Sequence, residues 1–483
     1  MKSENIIVVG GGTAGLISAL ILKTRFPQKK VEIIQSSSLG IVGVGESSTE
    51  HWRDFCQFVG IPLLDVIIKA KATFKYGVYF EGWGEHDFVH SVAPAYEDKI
   101  GNYYPVFAHI ISNNLHPHNM HPQHWLRNKV SLDYFNNFND SPTYQFQFDT
   151  YALNQYLHDI CKERGIGIID DNLIQIKYHR NGNISCVISD TNKYYADFFI
   201  DCSGFKRFLT KDIPWVSYRD YLPLNSAIAF STDEMEDYNT YTKSTRRKFG
   251  WSWTIPTQNR TGNGYVFSDK FVEEEKVYEE MEEVYNHKLH NVKSFKFDPG
   301  RLESAWNKNC YAVGLSQSFV EPLEATSIGS VVQQMFCFIH YLPSYDAQTC
   351  NVKVNLIFDN IFDFVQSHYL IKEEDSLFWK EIKYNLKLTK NLESYLEVWK
   401  NRLPQSSDIN CDWGLFSPAN YIFILYGLGW FDIDKVREEY LHYNIQSHIE
   451  EHLKGCVFDE ENLIWVKHKE IINLICANKK SGY

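Results

Sequence analysis

The stretch "NIIVVGGGTAGLISALILKTRF", residues Asn5–Phe26, decides the fold. Its apolar run Ile6–Val9 predicts a buried strand. Gly10, Gly12 and Gly15 then form G-x-G-x-x-G, and the apolar residues that follow recur at helical spacing. Glycines in this context allow a tight turn, close approach of the backbone to a pyrophosphate, and close packing of helix on strand. The stretch therefore predicts a Rossmann-like dinucleotide site.

The residues around this turn complete the predicted nucleotide site. Thr13 and Ala14 open the helix, whose N-terminus is expected to face the phosphates. The second strand, "KVEIIQS", ends with Gln35 where Asp or Glu usually meets the ribose. Gln35 can hydrogen-bond hydroxyls but adds no charge, which predicts weak binding. The sequence has no second G-x-G-x-x-G, so we expect one nucleotide cofactor rather than a flavin and a nicotinamide together.

Composition narrows the class of protein. The chain has 483 residues, a net charge of -12 and dispersed basic residues, which argues against nucleic acid as a partner. Aromatic residues make up 15%, enough for a ring-lined pocket as well as a core. The ten cysteines form no C-x-x-C pair, and the sequence opens without a signal peptide. The longest apolar stretch is far shorter than a membrane span. We expect a cytoplasmic protein with no membrane partner.

Later segments indicate a discontinuous cofactor domain. Residues 194–209 and 309–335 each read as an apolar strand that breaks into a Gly/Ser turn before a helix. From about Asn351 the chain reads as helical and aromatic. We predict a discontinuous cofactor module over residues 1–345, with substrate-facing strands inserted around 70–150 and 210–300. Residues 346–483 are predicted to form a mainly helical lid or substrate region.

A histidine-rich segment raises the question of a metal site. "LHPHNMHPQHW" places four histidines close together; they are His116, His118, His121 and His124. Their spacing fits no standard zinc pattern, no cysteine is nearby, and the two prolines favour an exposed loop. We predict no metal.

One lysine stands in an apolar setting. "FKYGVYFEGWG", residues 74–84, alternates aromatic and other residues and predicts one strand with a packed face. Lys75 lies in its apolar part. The ordinary explanation is an ion pair with a neighbouring acid such as Glu81.

Four segments resemble the flavin-dependent halogenases, the family typified by the tryptophan halogenases. "GWSWTIP", residues 250–256, fits the family's W-x-W-x-I-P signature. "GIVGVGESS", residues 40–48, resembles its flavin-contacting strap, and "FKYGVYFEGW" resembles its lysine-bearing strand. "VEPLEATSIG", residues 320–329, resembles its carboxylate and halide segment. The resemblance covers roughly residues 1–340.

The resemblance implies a fold, a cofactor and a reaction. The fold would be α/β, an FAD-binding Rossmann-like flavin monooxygenase fold. FADH2 supplied by a separate NAD(P)H-dependent flavin reductase would react with O2 and halide to give hypohalous acid, which halogenates a small electron-rich aromatic substrate. The predicted cofactor-binding residues are those of the fingerprint and of three further segments: Gly10, Gly12, Thr13, Ala14, Gly15, Gln35, Gly43, Val44, Gly45, Glu46, Leu315 and Ile328.

The same resemblance assigns the catalytic roles. Lys75 would deliver the oxidant, either as an ammonium that hydrogen-bonds hypohalous acid or as a neutral amine that forms a haloamine. Glu324 would accept the ring proton. We favour Glu324 over Glu321 because the family pattern places the second acid of this segment at the site. Backbone N–H groups at Thr326 and Ser327 would bind the halide.

Departures from the family pattern shape the expected specificity. Ala325 replaces a frequent serine and so removes a hydroxyl, and Ser327 replaces a usual glycine and so is expected to restrict the backbone of the halide-binding turn. Both changes should hurt chloride most, so bromide or iodide is expected to be used better than chloride. The resemblance also places His90 near the substrate ring, among the residues that separate substrate from flavin. In the family a phenylalanine often follows this histidine, whereas here Ser91 and Val92 follow, which predicts a roomier pocket.

Two tryptophans complete the set. Trp251 and Trp253 alternate along one strand and would lie on the same face, where the resemblance has them keep the substrate away from the flavin. We also expect a homo-oligomer.

Two other functions fit the same residues. One is a flavin-dependent aromatic monooxygenase, which halide dependence would distinguish. The other is a non-catalytic FAD-binding protein, in which Lys75 and Glu324 would have no reason to converge.

Overall fold

The computed structural model describes residues 4–40, 46–91, 104–117, 125–132, 145–442 and 464–478. Its strands are β1 (Asn5–Val9), β2 (Lys30–Gln35), β3 (Glu46–Ser47), β4 (Thr73–Lys75), β5 (Gly77–Glu81), β6 (Phe88–Ser91), β7 (Lys129–Ser131), β8 (Gln145–Phe148), β9 (Gly167–Asp170), β10 (Leu173–Tyr178), β11 (Ile184–Ser189), β12 (Lys193–Tyr194), β13 (Phe198–Asp201), β14 (Trp215–Ser217), β15 (Ser226–Thr232), β16 (Thr242–Arg247), β17 (Gly250–Pro256), β18 (Thr261–Phe267), β19 (Lys293–Lys296), β20 (Gly300–Leu302), β21 (Trp306–Asn307), β22 (Cys310–Ala312), β23 (Ser318–Phe319) and β24 (Trp465–Lys467). Its helices are α1 (Thr13–Arg25), α2 (His51–Val59), α3 (Leu63–Lys69), α4 (Tyr104–Ser112), α5 (Thr150–Glu163), α6 (Glu274–Tyr285), α7 (Thr326–Tyr341), α8 (Ala347–Ser367), α9 (Leu377–Asn385), α10 (Lys390–Trp399), α11 (Pro418–Gly427), α12 (Ile433–His442) and α13 (His468–Asn478).

The fingerprint stretch forms the centre of a sheet with strand order β21-β22-β13-β1-β2-β9, which is parallel except for the antiparallel edge strand β21. β1 pairs in parallel with both β2 and β13, and its residues Ile6 and Val8 are fully buried. A strand buried on both faces needs a continuous apolar run, which is what the sequence provides. The strands come from distant parts of the chain, so the sheet closes only when residues 5–35, 167–201 and 306–312 meet.

A second, mixed sheet has the strand order β19-β15-β18-β17-β16-β5-β6. β17 carries the W-x-W-x-I-P motif and lies between β16 and β18, in antiparallel register with both. The motif is therefore held by strands on both sides, and its side chains are fixed relative to β5 and β6.

The segment around Lys75 does not form the single strand that the alternation predicts. It breaks at Tyr76 into β4 and β5, which belong to different sheets. The Tyr76 N–H bonds to the carbonyl of Thr240, outside either sheet. At Gly77 an added Cβ would lie 2.5 Å from the carbonyl oxygen of His90, so β6 packs closely against a glycine there. The aromatic alternation correctly predicts extended chain, but it carries no signal for a change of sheet at Tyr76.

β4 joins a small antiparallel sheet with strand order β3-β8-β4. Lys75 pairs with Gln145 of β8, and on the other side of β8 Glu46 pairs with Phe148. This sheet thus connects the lysine with the segment that the sequence assigns to the flavin strap.

Helices predominate after the parallel sheet is complete. α7 packs on α1 and α8, and α8 also contacts β21 at the edge of the sheet that contains β1. Helices α9 to α12 follow, while β24 pairs with β7. The division at residues 345 and 346 stays a prediction. No helix in the described ranges combines the length and apolar character needed to cross a lipid bilayer.

Candidate active site

A cavity of about 510 Å³ opens at the carboxyl end of β1, where the G-x-G-x-x-G turn leads into α1. The predicted cofactor residues that line it are Gly10, Gly12, Thr13, Ala14, Gln35, Glu46, Leu315 and Ile328. A helix N-terminus and a glycine turn at the end of a parallel strand form the usual site for a dinucleotide pyrophosphate. Gly43, Val44 and Gly45 lie outside the described residues.

The glycines of the turn are required by close contacts. Gly10 has a φ of +118°, and a Cβ on it would lie 2.2 Å from the carbonyl oxygen of Cys202. A Cβ on Gly15 would lie 1.9 Å from the carbonyl oxygen of Gly10. Gly15 therefore does not line the cavity but allows α1 to pack against the turn. On Gly11, a Cβ would collide with the side chain of Gln35, which lies over the turn.

Asp201, which the sequence analysis did not single out, anchors two loops of this cavity. Its carboxylate is fully buried and accepts hydrogen bonds from the Ser203 hydroxyl, the Leu209 N–H and the Ser316 hydroxyl. The loops that begin at Ser203 and Gly314 both line the cavity. The sequence feature that could have identified Asp201 is a single aspartate at the end of an apolar strand.

A second cavity of about 240 Å³ adjoins the first, and the two share Glu46, Leu315, Ser327 and Ile328 in their walls. Buried Oε2 of Glu46 has no hydrogen-bond partner among the described residues. Burial raises the pKa of Glu46 to about 7. A buried oxygen without a partner, facing cavity space, is a position that an N–H or O–H of a bound cofactor would satisfy. The residues present therefore fit a flavin nucleotide.

The two tryptophans of β17 line the second cavity. Their ring centroids are 6.0 Å apart at an interplanar angle of 54°. Trp253 lies across Gly264 of β18, where an added Cβ would come within 2.1 Å of the indole. Gly264 thus makes room for the Trp253 ring, a role that the sequence alone did not indicate.

Lys75 is 1% exposed, and its Nζ donates a hydrogen bond to the carbonyl of Ser48 at 3.0 Å. Burial lowers its pKa from 10.5 to about 8, although the charges of Glu324 and Glu50 act in the opposite direction. The predicted alternative partner, Glu81, instead pairs with Lys243 at 2.6 Å. Lys75 is therefore buried within reach of the charge of Glu324 and does not form the ion pair with Glu81.

Glu324 is 3% exposed and lies between two histidines. Its Oε1 is 2.9 Å from Nδ1 of His90 and 3.0 Å from Nε2 of His368. Burial raises the pKa of Glu324, but the interactions with His90 and His368 outweigh burial and lower the pKa to about 2. Glu324 is thus a carboxylate, and its charge reaches Lys75.

Sequence reasoning missed His368. An isolated histidine in the apolar context "FVQSHYL" at the end of a helix is typical of a core residue. His90, predicted near the substrate and flavin, is 2% exposed and holds Glu324 instead of lining either of the two cavities.

Glu321, the rival acid, has a different environment. The Tyr369 hydroxyl donates to its Oε1. Burial raises the pKa of Glu321 to about 7, against hydrogen bonding from Tyr369 and Trp251. Near neutral pH, Glu321 is therefore protonated in about half of the molecules, whereas Glu324 is ionised.

The predicted halide segment forms the start of α7 rather than a free turn. Ala325 precedes the helix with a φ of +57°, and Thr326 and Ser327 are its first two residues. The left-handed conformation therefore falls on Ala325, and Ser327 is helical. The expectation that Ser327 restricts the backbone of a turn is wrong, because Ser327 lies in the helix and a helical φ suits serine as well as glycine. All three residues line the second cavity.

Metal ligation finds no support in the described ranges. They contain no group of three His, Cys, Asp or Glu that could hold a metal ion. Of the clustered histidines, His116 is described, and His118, His121 and His124 lie outside the described residues.

Comparisons with known proteins agree with this geometry. The sequence model of the tryptophan halogenase family matches residues 5–436. Tryptophan 6-halogenase SttH from Streptomyces toxytricini is 28% identical over 472 residues, covering 88% of this chain and 89% of the relative. Tryptophan 7-halogenase RebH from Lentzea aerocolonigenes is 27% identical over 485 residues, covering 89% and 90%.

The fold agrees with that of a solved halogenase. Tar14, the tryptophan C-6 flavin-dependent halogenase (chlorinase) from taromycin biosynthesis, superposes with a TM-score of 0.88 at 25% identity. The match covers 98% of this chain and all of that one.

Proposed function

This chain belongs to the tryptophan halogenase family and is a flavin-dependent halogenase, and we propose that it halogenates a small electron-rich aromatic ring by way of Lys75 and Glu324. The observation that carries this proposal is the buried pair itself. A lysine that is 1% exposed lies within electrostatic reach of the buried carboxylate of Glu324, and the neighbouring Glu81 does not account for the lysine because Glu81 pairs with Lys243. Strongly perturbed titratable groups of this kind cluster at functional sites.

FAD is the cofactor that we assign to the larger cavity. Gly10, Gly12 and the start of α1 would hold the pyrophosphate, and Gln35 would meet the ribose. Glu46 at the junction of the two cavities would face the flavin ring. With O2 and a halide, FADH2 supplies hypohalous acid as the oxidant.

Lys75 takes up the halogen as a neutral amine. An ammonium has three N–H donors, and within the described residues Nζ has one acceptor, the Ser48 carbonyl. A pKa of about 8 leaves about a tenth of the groups neutral at pH 7. The nitrogen lone pair attacks the halogen, an N–X bond forms, the X–O bond breaks, and hydroxide leaves with an amine proton as water.

Glu324 accepts the proton of the ring. The ring π electrons attack the halogen, the N–X bond breaks, and the electron pair returns to nitrogen. The ring C–H proton passes to the carboxylate of Glu324 and from there to Nζ, which restores the amine. A carboxylate whose pKa is held at about 2 is ionised at every working pH and ready to accept.

The halide site is assigned to the first turn of α7. The N–H groups of Thr326 and Ser327 are at the positive end of the helix dipole and border the second cavity. Ala325 lacks the hydroxyl that the family often has there. Since chloride is the hardest halide to oxidise and to dehydrate, we propose that bromide or iodide is used better than chloride.

The test is a product screen. The chain is incubated with FAD, a flavin reductase, NADH and each halide in turn, and a panel of indoles, phenols and anilines is analysed by mass spectrometry. We expect a halogen mass shift that depends on the halide supplied, larger for bromide than for chloride at equal concentration. Hydroxylated products that form without halide would contradict halogenation and support a monooxygenase.

A further inference from the structure

The polar face of β8 lies against Lys75. Residues 145–148 read Gln-Phe-Gln-Phe, so the two glutamines project from one face of the strand and the two phenylalanines from the other. Gln145 is paired directly with Lys75 of β4, and Gln147 with Thr73. Directly opposed residues of an antiparallel pair lie on the same face, with their Cβ atoms about 5 Å apart. Gln145 and Lys75 are therefore neighbours on one buried polar face.

The two glutamines differ in what they bind. The side-chain nitrogen of Gln147 donates to the carbonyl of Phe74 at 3.3 Å, and its Oε1 accepts the hydroxyl of Thr242 at 3.2 Å. Gln145 is 2% exposed, and its Nε2 donates to Oε2 of Glu50 at 3.1 Å. Its Oε1 is buried and has no hydrogen-bond partner in the described ranges. A buried carbonyl oxygen without a partner is costly, and it indicates a small donor that binds there.

The orientation of the Gln145 amide follows from the charge of Glu50. Glu50 acts on Lys75 as a negative charge, and a carboxylate can only accept hydrogen bonds. A flipped amide would place its oxygen against the carboxylate. The NH2 group of Gln145 must therefore face Glu50, and the carbonyl oxygen Oε1 is the end left without a partner.

Ser48 holds the amine of Lys75 beside the same strand. Its carbonyl accepts Nζ at 3.0 Å, its N–H donates to the carbonyl of Phe146 at 2.9 Å, and its Oγ accepts the N–H of Phe146 at 3.0 Å. Nζ is thus tied to β8 next to Gln145, but within the described residues no hydrogen bond joins Nζ to Oε1. The two groups are placed to bind one small molecule between them.

The same polar face reaches the second cavity. Ser47 is paired with Gln147 across β3 and β8, and the Thr242 hydroxyl donates to Oγ of Ser47 at 3.2 Å. Ser47 and Thr242 both line the second cavity, whose wall also includes the proposed halide residues. The polar face therefore leads from the cavity of the proposed halide site to Lys75.

We propose that Gln145 binds hypohalous acid at Lys75, with Oε1 as the acceptor of the acid's O–H and Nζ facing the halogen. The assignment rests on the proposed function, which supplies the acid. Hypohalous acid has one O–H donor and one electrophilic halogen, and these two ends match an acceptor oxygen and an amine. An amide oxygen accepts the hydrogen bond without taking the proton, so Gln145 orients the acid and does not convert it to hypohalite.

The bonding changes fit this placement of the acid. The lone pair of Nζ attacks the halogen and the N–X bond forms, while the X–O bond breaks with its electron pair on oxygen. This oxygen takes a proton from nitrogen and leaves as water. The halogen passes from oxygen to nitrogen without a change in oxidation state, so no further oxidant is needed. The oxygen keeps its hydrogen bond to Oε1 throughout, so Gln145 stabilises the leaving group.

Retained oxidant tests the assignment before any aromatic substrate is added. Wild type, Gln145→Leu, Gln334→Leu and Lys75→Ala each receive reduced FAD, O2 and bromide, and a desalting column removes free hypobromite. Indole is then added, and brominated indole is measured per protein after the Lys75→Ala background is subtracted. Gln334→Leu is the matched control, because Gln334 of α7 also has a buried Oε1 without a partner in the part of the chain that the structure describes.

We expect Gln145→Leu to retain about ten-fold less bromine than the wild type, as the loss of one hydrogen bond to the reacting acid predicts, and Gln334→Leu to match the wild type. Retention by Gln145→Leu equal to that of the wild type would overturn the assignment alone. A wild type that retains no more than Lys75→Ala would overturn the proposed function as well. If Gln145→Leu does not fold, Gln145→Asn, which draws the amide back by one CH2 group, decides in the same way.

Thermal stability separates this role from a structural one. Gln147→Leu removes hydrogen bonds to the Phe74 carbonyl and the Thr242 hydroxyl, so its melting temperature should fall. Gln145→Leu removes an oxygen without a partner in the described ranges and one bond to the exposed Glu50, so it should melt close to or above the wild type. A fall as large as that of Gln147→Leu would show that Oε1 has a partner in the folded protein and would overturn the assignment.

Discussion

Lys75 makes the folded protein less stable than it would be with an apolar residue at that position. Its pKa is about 8 in the folded chain and 10.5 for an ordinary lysine. Between these values the unfolded chain binds more protons, so the free energy of unfolding rises with pH across this window. Below pH 8 the folded state carries the full penalty.

This predicts that Lys75→Met is more stable than the wild type at neutral pH. The gain in the free energy of unfolding should be up to about 3 kcal/mol at pH 7, since one pKa unit corresponds to about 1.4 kcal/mol. It should shrink towards zero as the pH approaches 10.5. Guanidinium unfolding at pH 7 and pH 10 measures both values. Equal or lower stability of Lys75→Met at pH 7 would show that the amine stabilises the fold.

The two carboxylates of "EPLEAT" offer a matched comparison. Glu324→Gln keeps an acceptor oxygen for His90 and His368 but cannot take a proton, so halogenation should fall by about 10² to 10⁴. A ring-deuterated substrate should then react measurably more slowly than the protiated one, because proton loss limits the rate.

Glu321→Gln serves as the control for that variant. Glu321, with a pKa of about 7, is partly a neutral acid already, and an amide resembles that form. The rate of halogenation by Glu321→Gln should therefore stay within a few-fold of the wild-type rate. If both variants lost activity equally, proton acceptance could not be assigned to Glu324.

At the scale of elements, glycine substitutions at the start of α7 distinguish the cost of backbone strain from the cost of low helix propensity. Ala325 has a φ of +57°, which costs a residue with a Cβ about 1 kcal/mol. Ser327 is inside the helix, where glycine is less favourable than serine by about 0.5 kcal/mol. The same substitution should therefore act in opposite directions at two positions two residues apart.

We expect Ala325→Gly to raise the free energy of unfolding by about 0.5–1 kcal/mol and Ser327→Gly to lower it by about 0.5 kcal/mol. Denaturant midpoints of the two variants against the wild type measure the difference. A stabilised Ser327→Gly would mean that the positive φ falls on the serine and not on the alanine.

Elements also show what sequence can predict. The β1-turn-α1 unit was predictable because its signal is local: an apolar run, three glycines and a helical period within about twenty residues. The break at Tyr76 was not, since it depends on the carbonyl of Thr240 and the close approach of β6 to Gly77. Lys75 and Glu324 were found through the family motifs. His368 and Asn420 were missed because their partners lie far away in sequence, on Glu324 and His90.

At the scale of the whole molecule, the parallel sheet carries one nucleotide fingerprint, and the lysine and carboxylate lie on other elements. A chain with a single such site cannot hold FAD and NAD(P)H in two modules of this kind. We therefore expect the reducing equivalents to come from a separate flavin reductase.

We predict that the purified chain binds FAD weakly and does not oxidise NADH by itself. Gln35 adds no charge to the ribose contact, so the flavin should be lost on gel filtration and regained on titration. NADH absorbance followed with FAD and O2 should stay constant until a flavin reductase is added. Steady NADH consumption by the isolated chain would contradict the single-cofactor account.

Delivery of the halogen through Lys75 is the central claim, and the most direct test is the yield of brominated product from wild type and Lys75→Ala. Both proteins are first shown to bind FAD equally, and both receive the same reductase, NADH, bromide and aromatic panel. We expect brominated product from the wild type and, from Lys75→Ala, only what free hypobromite forms in solution. A Lys75→Ala yield equal to that of the wild type would contradict it and would make this buried lysine structural.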